Sequence, residues 1–470
     1  MSAPKPVLRP IVFREAEIAD GETCDVLVVH DEIVAVGSVN PPQDAMVVDA
    51  NGARLLPGLH DHHIHVAASV AAMQSVRCGP PEVTDLKGLG QALGRPGEGW
   101  LRGVGYHESV AGLPDRHLLD ELASHRPVRV QHRSGRMWFF NSAGLDILLA
   151  DHAPPPGLER QAGEWTGRLF DEDSWLRSAL AATPPVFDAV GGALARLGIT
   201  GLTEMSPANA LVEAGHFAAQ MVCGALPQRV VLAGSLALGE WQPQDRLALG
   251  PFKLHLHEAH FPDWDETLAA IRAAREQGRG TAVHCVSEAE LVFTLGLFAE
   301  LGVTKLDRIE HGSVIPDALL ETLLHMGLPV VVQAGFVETR GDQYLADIPQ
   351  VEWPWLYRLA SLQDAGLVIA GGSDSPYGGA DPWAAMRSAV ERMTLAGQLF
   401  GPQEALSPER ALALYLADPF DLGRIRQIEP GVAADLCLLD RPWSQARDIL
   451  LAQRVRMTVC CGTVVYRADD

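Results

Sequence analysis

The sequence predicts an α/β protein: a (β/α)8 TIM barrel with an insertion after its first strand, and a small β-sandwich domain built from both chain ends. Three observations predict this fold. Short β-type runs occur at both ends of the chain, β runs alternate with Ala/Leu-rich helical segments in the middle, and this middle part contains eight candidate strands. A closed barrel of this class requires eight parallel strands.

The terminal β runs are short and are separated by turn residues. Residues 1–55 contain CDVLVVHDEIVAVG and AMVVDANGARLLPG, which Gly, Asn and Pro interrupt. The end of the chain contains similar short β-type runs: ADLCLLD, RVRMTVCCG and TVVYR. We therefore predict one composite β domain from residues 1–55 and 424–470, and a barrel over residues 56–423.

Eight runs in the middle of the chain are candidate barrel strands. They are LLPGLHDHHIH, GITGLTEM, QRVVLAG, FKLHLHE, GTAVHCV, LDRIEHG, PVVVQAG and LVIAGGSDS. Helical segments such as WDETLAAIRAAREQG separate them, which is typical of parallel βα units.

The spacing of these runs supports the barrel and locates the insertion. A barrel of about 250 residues has about 31 residues per unit. Lys253 and His284 are 31 positions apart, and His284 and His311 are 27 apart, so each interval corresponds to one unit. His63 and Lys253 are 190 positions apart for three units, an excess of roughly 95 residues by the same arithmetic. We predict an inserted subdomain at about residues 75–190.

Composition limits the classes of partner. The chain has 37 basic and 59 acidic side chains and a formal net charge of −22. Nucleic acids and anionic membranes require a positive footprint, so neither is an expected partner. The sequence has neither an uninterrupted apolar run of about 18 residues nor the apolar core of a signal peptide, so we expect a cytoplasmic protein. The seven cysteines form no CxxC, which argues against a disulfide framework and a cysteine zinc site.

Two histidines stand at the end of the first barrel strand. His63 and His65 lie two positions apart in the run DHHIH, and alternate residues of a strand share a face, so both imidazoles can point into the barrel mouth. His62 then faces the other way. Two imidazoles on one face form half of a zinc site, and the alternative is a polar strand end with unrelated histidines.

Three further ligand-type residues fall near the ends of predicted strands: His284, His311 and Asp374. Active sites of these barrels lie at the carboxyl ends of the strands. Folding requirements alone rarely place so many ligand-type side chains at one level. We therefore predict a site for a divalent metal, with zinc as the expected ion.

Lys253 is the sixth member of this set. It starts the alternating series Lys253, His255 and His257, and a buried ammonium in a dry barrel would be costly. Carboxylation would convert it to an anionic ligand with two oxygens that can bridge two metal ions. The alternatives are a lysine paired with Glu258 or Asp374, or a site in which His255 or His257 replaces the lysine as a ligand.

Several motifs together resemble the amidohydrolase superfamily. They are PGLHDHHIH at residues 57–65, RIEHG at 308–312, GSDSP at 372–376, and IEPG at 428–431 leading to ADL at 434–436. Within that superfamily, the segment GWLRGVGYHESVAGLPDRHLLDELASHRPV, followed by Trp138 and NSAGL at 141–145, is similar to the YtcJ-like branch that includes N-substituted formamide deformylases.

The resemblance implies a role for each matching position. His63 and His65 would bind one metal ion, His284 and His311 would bind a second, and a carboxylated Lys253 would bridge them. Asp374 would contact the metal or its hydroxide and carry the proton. Two ions are implied if Lys253 is carboxylated, and one otherwise.

These assignments predict a hydrolase of non-peptide C–N bonds. A divalent metal activates water and polarises a carbonyl group, so we predict attack by metal-bound hydroxide on a small amide, N-acyl, N-formyl or cyclic amide compound. Asp374 and Lys253 are the predicted catalytic residues. The first alternative is a mononuclear deaminase of an amino-heterocycle, and the second is an inactive small-molecule binding protein.

Substrate contacts are predicted from positions in the insertion or after strands seven and eight. The candidates are Tyr106, His107, Arg136, Trp138, Phe336, Trp353, Trp355 and Tyr377. Packing is the alternative explanation for the aromatic residues. Arg136 is expected to present a fixed cation to the pocket, which favours a carboxylate-bearing substrate. A small-molecule substrate is the expected partner. A homodimer is a possible assembly, because such barrels commonly form dimers.

Overall fold

The computed structural model describes residues 9–180 and 184–468, so residues 1–8, 181–183 and 469–470 of the predicted domain segments lie outside the described residues. The amino-terminal stretch contains β1 (Ile11–Ala19), β2 (Glu22–Val29), β3 (Glu32–Gly37), β4 (Met46–Asp49), β5 (Leu55–Pro57), β6 (Leu59–Ile64) and α1 (Val66–Met73). The next stretch contains β7 (Val76–Arg77), α2 (Leu86–Leu93), β8 (Leu101–Tyr106), α3 (Arg116–Leu122), β9 (Val128–His132), β10 (Met137–Phe140), α4 (Ser142–Ala150), β11 (Leu158–Gln161), β12 (Glu164–Phe170) and α5 (Asp173–Leu180).

Alternating helices and strands follow. They are α6 (Asp188–Arg196), β13 (Ile199–Glu204), α7 (Leu211–Val222), β14 (Arg229–Gly234), β15 (Leu247–His255), α8 (Trp264–Glu276), β16 (Thr281–Cys285), α9 (Glu288–Leu301), β17 (Arg308–His311), α10 (Asp317–Met326), β18 (Val330–Val332), α11 (Gly335–Asp347), α12 (Ala360–Asp364), β19 (Ile369–Gly371), α13 (Pro382–Glu391) and α14 (Pro408–Leu416). The chain ends with β20 (Ala417–Asp418), β21 (Asp421–Ile425), β22 (Leu436–Leu439), α15 (Trp443–Ala446), β23 (Val455–Cys460) and β24 (Thr463–Arg467). Short 3₁₀ helices lie at Leu236–Glu240, Gln350–Trp355, Pro402–Glu404 and Ala452–Arg454.

Eight strands form one parallel sheet in the order β19-β18-β17-β16-β15-β14-β13-β6. All eight predicted runs contribute a strand to it, which confirms the predicted barrel class. The first and last strands meet through hydrogen bonds just beyond their carboxyl ends, from His65 N to Ser375 O (2.9 Å) and from Asp374 N to His63 O (2.6 Å). This seam brings the ends of the first and eighth strands together.

A glycine permits the close approach at this seam. A Cβ atom added to Gly372 would lie 2.6 Å from the Cβ of His63 and 2.7 Å from its backbone nitrogen. Real Cβ atoms do not approach that closely, so any side chain at position 372 would push β6 away from the end of β19.

The helices begin where the sequence supplies capping groups. The Ser287 hydroxyl accepts from Glu290 N, and the Glu290 carboxylate accepts from Ser287 N, which forms a capping box at α9. Asp381 and Ser407 cap α13 and α14, and each is followed by a proline in the first turn. Among the described helices, none combines the length and apolar character needed to cross a bilayer.

The strands near both chain ends form two four-stranded sheets, β3-β2-β1-β4 and β24-β23-β22-β5. Their inner faces share one core, in which Phe13 and Val26 of the first sheet join Leu438 and Met457 of the second. This arrangement confirms the predicted β sandwich built from both ends.

A second compact unit spans Ala67–Pro185. It contains a six-stranded sheet in the order β11-β12-β10-β9-β8-β7, with helices α2 to α5. Two apolar clusters stabilise it, one around Tyr106 and Phe139 and the other around Trp138 and Phe140. The domain bounds drawn from the sequence stay predictions.

Candidate metal centre

Three of the predicted ligands converge at the carboxyl ends of the first and eighth strands. His65 Nε2 lies 3.2 Å from Asp374 Oδ1, and His63 Nε2 lies 3.4 Å from the same oxygen. One potential ligand atom from each residue lies within 4.8 Å of the others. Two imidazole nitrogens and one carboxylate oxygen are an ordinary ligand set for a divalent transition metal.

A buried ion pair between Glu310 and Arg308 orients the ring of His63 through its Nδ1. Its Nδ1 lies 2.5 Å from Glu310 Oε2, while Glu310 Oε1 accepts from Arg308 Nε at 2.6 Å. Burial favours the neutral form of Glu310, but the charge of Arg308 and the contact with His63 outweigh it and lower the pKa of the carboxyl group. Metal-binding histidines commonly carry such a carboxylate on the second ring nitrogen.

The same arrangement occurs at two more histidines. His65 Nδ1 lies 3.0 Å from Ser206 Oγ, and His311 Nδ1 lies 2.7 Å from Gln333 Oε1. Each contact fixes the ring through Nδ1 and leaves Nε2 as the nitrogen that can bind a metal.

Two residues of the site have a backbone conformation that residues other than glycine rarely adopt. Asp374 has φ +52° and His311 has φ +72°, in the left-handed region. Such strain persists only where the surrounding structure imposes it, and it concentrates at functional sites.

The electrostatics of the site suit a cation. Burial lowers the pKa of His63 despite the charge of Glu310, and burial together with His63 lowers the pKa of His311 to about 3. Burial alone would raise the pKa of Asp374, but the hydrogen bond with His65 and the nearby His63 and His311 lower it. Neutral imidazoles and an ionised carboxylate are the protonation states that bind metal.

Lys253 projects from β15 and is 4% exposed. Among the described residues its Nζ has no hydrogen-bond partner, so the alternative of a pair with Glu258 or Asp374 is not observed. Burial lowers the pKa of its amine to about 8, although the charges of Glu310 and Asp374 oppose this shift. A buried amine without a partner is the state that carboxylation would relieve.

The remaining histidines pack on one another. His284 stacks on His255 with ring centroids 4.3 Å apart and lies edge-on to His311 at 4.6 Å. His255 also lies 4.6 Å from His257. The ring of His311 also lies 4.8 Å from the ring of His63, so His311 and His284 neighbour the cluster of His63, His65 and Asp374.

Four predicted substrate contacts lie in the same unit as this cluster: Phe336, Trp353, Trp355 and Tyr377. The ring of Tyr377 meets the ring of His65 edge-on at 5.7 Å. Phe336 is buried, and its face is covered by the guanidinium of Arg340 at 3.9 Å. Trp353 donates its indole N–H to the carbonyl of Ile348.

The four predicted contacts in the second unit mostly have structural partners. Tyr106 is 0% exposed and donates its hydroxyl to Gly112 O, and Trp138 is buried and donates to Asp173, so both side chains already have structural partners, and their role in substrate binding stays a prediction. Arg136, which we expected to present a fixed cation to the substrate, donates from Nε and Nη2 to the two carboxylate oxygens of Asp171. This ion pair compensates its charge. His107 stacks on His132 at 6.0 Å and contacts Ser109 through Nδ1.

Sequence reasoning missed the residues that orient the ligands. Glu310 and Arg308 lie two positions apart on β17, a spacing that could have indicated a pair on one face. Asp61 holds the first strand to the eighth by accepting from His63 N and Ser373 N, and burial raises its pKa to about 6. Gln333 and Ser206 carry no sequence signal beyond their positions after strands.

Comparison with known proteins identifies the family. The model of the amidohydrolase family matches residues 46–466. The chain is 25% identical to the N-substituted formamide deformylase of Arthrobacter pascens, over 94% of this chain and 93% of that protein, and 25% identical to amidohydrolase YtcJ of Bacillus subtilis (strain 168), over 89% and 90%.

A solved structure shares the fold. It is an uncharacterized metal-dependent hydrolase from Pyrococcus horikoshii OT3, with a TM-score of 0.75 and 20% identity over 92% of this chain and 97% of that one. The family match covers most of the chain and agrees with the motifs at the strand ends, so the predicted hydrolase enzyme and its branch are confirmed. The chain belongs to the amidohydrolase family.

Proposed function

We propose that the protein hydrolyses a non-peptide C–N bond of a small molecule: an amide, an N-acyl or N-formyl compound, or a cyclic amide. The observation that carries this proposal is the convergence of His63 Nε2 and His65 Nε2 on the carboxylate of Asp374. The similarity to a formamide deformylase supports the bond type.

His63, His65 and Asp374 would hold a divalent metal, with zinc as the expected ion. Lys253, if carboxylated, would join them to His284 and His311 and allow a second ion. Two observations favour the fit: three histidine rings are fixed through Nδ1, and the buried amine of Lys253 has no partner among the described residues. A bound divalent ion would supply a polarised carbonyl and a water of lowered pKa.

Asp374 is the proton carrier in this proposal. Its carboxylate is ionised, because the lowered pKa keeps the proton off at neutral pH. It takes one proton from the attacking water as the C–O bond forms, and it delivers that proton to the nitrogen as the C–N bond breaks. The products are a carboxylic acid and an amine, so atoms and charge balance.

Glu310 and Ser206 act as positioning residues for the two histidines. Glu310 fixes His63 with Nε2 toward the mouth, and the Glu310 carboxylate is itself fixed by Arg308. Holding ligands in place before substrate arrives avoids paying for their reorganisation during the reaction.

A mononuclear deaminase of an amino-heterocycle is the second candidate. One observation favours it: among the described histidines, cysteines and carboxylates, the cluster contains His63, His65 and Asp374 and does not include His284 and His311. In that case His311 would hold the attacking water, and ammonia would be the nitrogen product. A binding protein without catalysis is less consistent with six filled ligand positions.

A metal-dependence assay on small amides tests the proposal. We expect release of amine from at least one N-acyl, N-formyl or cyclic amide compound, loss of that release after chelation, and recovery with added zinc. Ammonia release from amino-heterocycles instead would favour the second candidate, and no metal-dependent turnover of either class would overturn both. Cytoplasmic location and a homodimer stay predictions.

A further inference from the structure

Arg340 lies beside the candidate metal centre and forms no ion pair with a carboxylate among the described residues. Arg340 projects from α11, and its Nη2 donates to the carbonyl oxygen of Tyr377 at 2.6 Å. The ring of Tyr377 in turn meets the metal-ligand candidate His65 at 5.7 Å. The guanidinium is therefore separated from the reacting centre by one residue.

The acidic residues of the same helix are engaged elsewhere. Glu338 pairs with Arg387 at 3.7 Å, Asp342 accepts from Thr394 and Ala396, and Asp347 accepts from Gln343. Within the described part of the chain, no carboxylate lies in ion-pair contact with Arg340. Most other arginines with a fixed position in this unit are paired with acids or saturated by carbonyl groups, as Arg308 and Arg279 illustrate.

The guanidinium is held in one orientation. One face stacks on the ring of Phe336 at 3.9 Å, and the in-plane N–H groups remain at the edge. Tyr344 and Tyr357 stand beside it with their hydroxyl oxygens 2.9 Å apart. Arginine has five donors in a fixed fork, and the Tyr377 carbonyl and the Tyr344 hydroxyl do not use all of them. Arg340 as a whole residue is intermediate between buried and exposed.

An arginine in this setting selects for negative charge. The chain carries a net charge of −22, which repels an anionic substrate at long range, and a fixed cation beside the site offsets this repulsion locally. The charge of Asp374 also acts on Arg340, without an ion-pair contact between the two. A planar guanidinium presents two parallel N–H groups, which match a carboxylate.

We propose that Arg340 is the anion-binding residue of the substrate pocket, and that the substrates are N-acyl or N-formyl compounds bearing a carboxylate near the scissile C–N bond. This inference rests on the proposed function and specifies its substrate class. It replaces Arg136, which Asp171 compensates, as the cation that recognises the substrate.

Paired substrates test the assignment. Each N-acyl or N-formyl amino acid is compared with an analogue in which a methyl group replaces the carboxylate, and amine release gives kcat and KM for both. The zinc-loaded wild type is expected to prefer the acid by at least about tenfold in kcat/KM. Arg340→Gln should lower kcat/KM for the acids about ten- to hundredfold, mainly through KM, and leave the methyl analogues within about twofold.

Two further variants separate recognition from structural support. Arg340→Lys keeps the charge and should recover part of the preference for acids, and it carries the test if Arg340→Gln fails to fold. Arg387→Gln removes an arginine that already has an acidic partner and should leave the preference unchanged. Equal loss on acids and analogues in Arg340→Gln would show that Arg340 only supports the Tyr377 loop and would overturn the inference, as would a wild type that prefers the analogues.

Failure of the proposed function gives a different result. In that case no compound releases amine. The affinity of the N-acyl amino acids for wild type and for Arg340→Gln, measured by calorimetry, then tests whether Arg340 binds the carboxylate. Binding that weakens about tenfold or more in the variant supports an anion site, and equal or absent binding in both proteins overturns it.

Discussion

The two halves of the candidate metal centre differ in how completely the protein prepares them. At the seam of the first and eighth strands, His63, His65 and Asp374 converge, and Glu310 and Ser206 fix the two rings from behind. On the opposite side, Lys253 is buried without a partner, and His284 stacks flat on His255. The first half is assembled by the protein alone, and the second is not.

The difference follows from charge. The first half contains the carboxylate of Asp374 beside two imidazole nitrogens, a set with the negative charge that a cation requires. The second half contains an amine and neutral imidazoles, and the pKa of His284 is lowered by burial and by the neighbouring His311 and His255. Carboxylation of Lys253 would supply an anionic group to this half. The comparison therefore predicts that the two halves respond differently to substitution and to metal.

The largest effect is expected from Asp374→Asn, which removes the proton carrier and the negative charge of the first half. We expect kcat/KM on an identified amide substrate to fall by a factor of about 10³ or more, since general acid–base catalysis alone contributes about 10²- to 10⁴-fold. Asp381→Asn is the matched control, because Asn also caps a helix and should preserve activity. Unchanged turnover in Asp374→Asn would remove this residue from the mechanism.

Lys253→Met tests the second half. If the lysine is a carboxylated ligand, the variant should lose one metal equivalent and at least about a hundredfold in activity, because a catalytic metal contributes several kcal/mol. The metal-free variant should be as stable as the wild type or more stable by about 1–3 kcal/mol, because an unpaired buried amine is removed. Thermal unfolding and metal analysis read out both effects.

The control for this lysine is Lys305→Met, at an exposed position just before β17. It should change neither metal content nor activity. Full activity and unchanged metal content in Lys253→Met would show that the second half does not bind metal through this residue.

Glu310→Gln should weaken the first half without removing a ligand. Loss of the carboxylate leaves Arg308 buried without its charge partner, which costs about 3–5 kcal/mol in the free energy of unfolding. It also frees the ring of His63, so metal affinity or activity should fall about ten- to hundredfold. The double variant Arg308→Gln/Glu310→Gln should recover part of the stability but not the metal affinity, and recovery of both would contradict a positioning role for Glu310.

The smallest effect is expected from Arg136→Met in the second unit. Arg136 and Asp171 have side chains that are 42% and 47% exposed, and exposed pairs contribute about 0–1 kcal/mol to stability. Chemical denaturation should show a change in that range, and the preference for acidic substrates should stay as in wild type. Loss of that preference would return the anion-binding role to Arg136 and remove it from Arg340.

The barrel could be predicted from sequence because its strands are apolar runs at regular spacing, and the family motifs mark their carboxyl ends. Strand alternation also separates His62, whose ring lies 4.5 Å from His60, from His63 and His65. The candidate ligand positions were predictable for the same reason, because each lies within three residues of the carboxyl end of a strand.

The supporting and substrate-binding residues were harder to predict because their role depends on contacts between distant segments. Glu310 contacts His63 across 247 positions, and Arg340 is singled out because it forms no ion pair among the described residues. Tyr106 resembled a pocket residue by its place in a motif, but its hydroxyl is satisfied within a buried core. Sequence spacing predicts where strands end, whereas packing decides which side chains remain available.

We infer that His63, His65 and Asp374 hold a divalent metal ion. Metal content per chain, measured by inductively coupled plasma mass spectrometry on protein purified without chelators or a metal affinity column, tests it most directly. We predict close to two equivalents in the wild type, with one equivalent as the mononuclear outcome, and loss of metal in His65→Ala. Absence of bound metal even after zinc is offered back, or unchanged content in His65→Ala, would contradict the account.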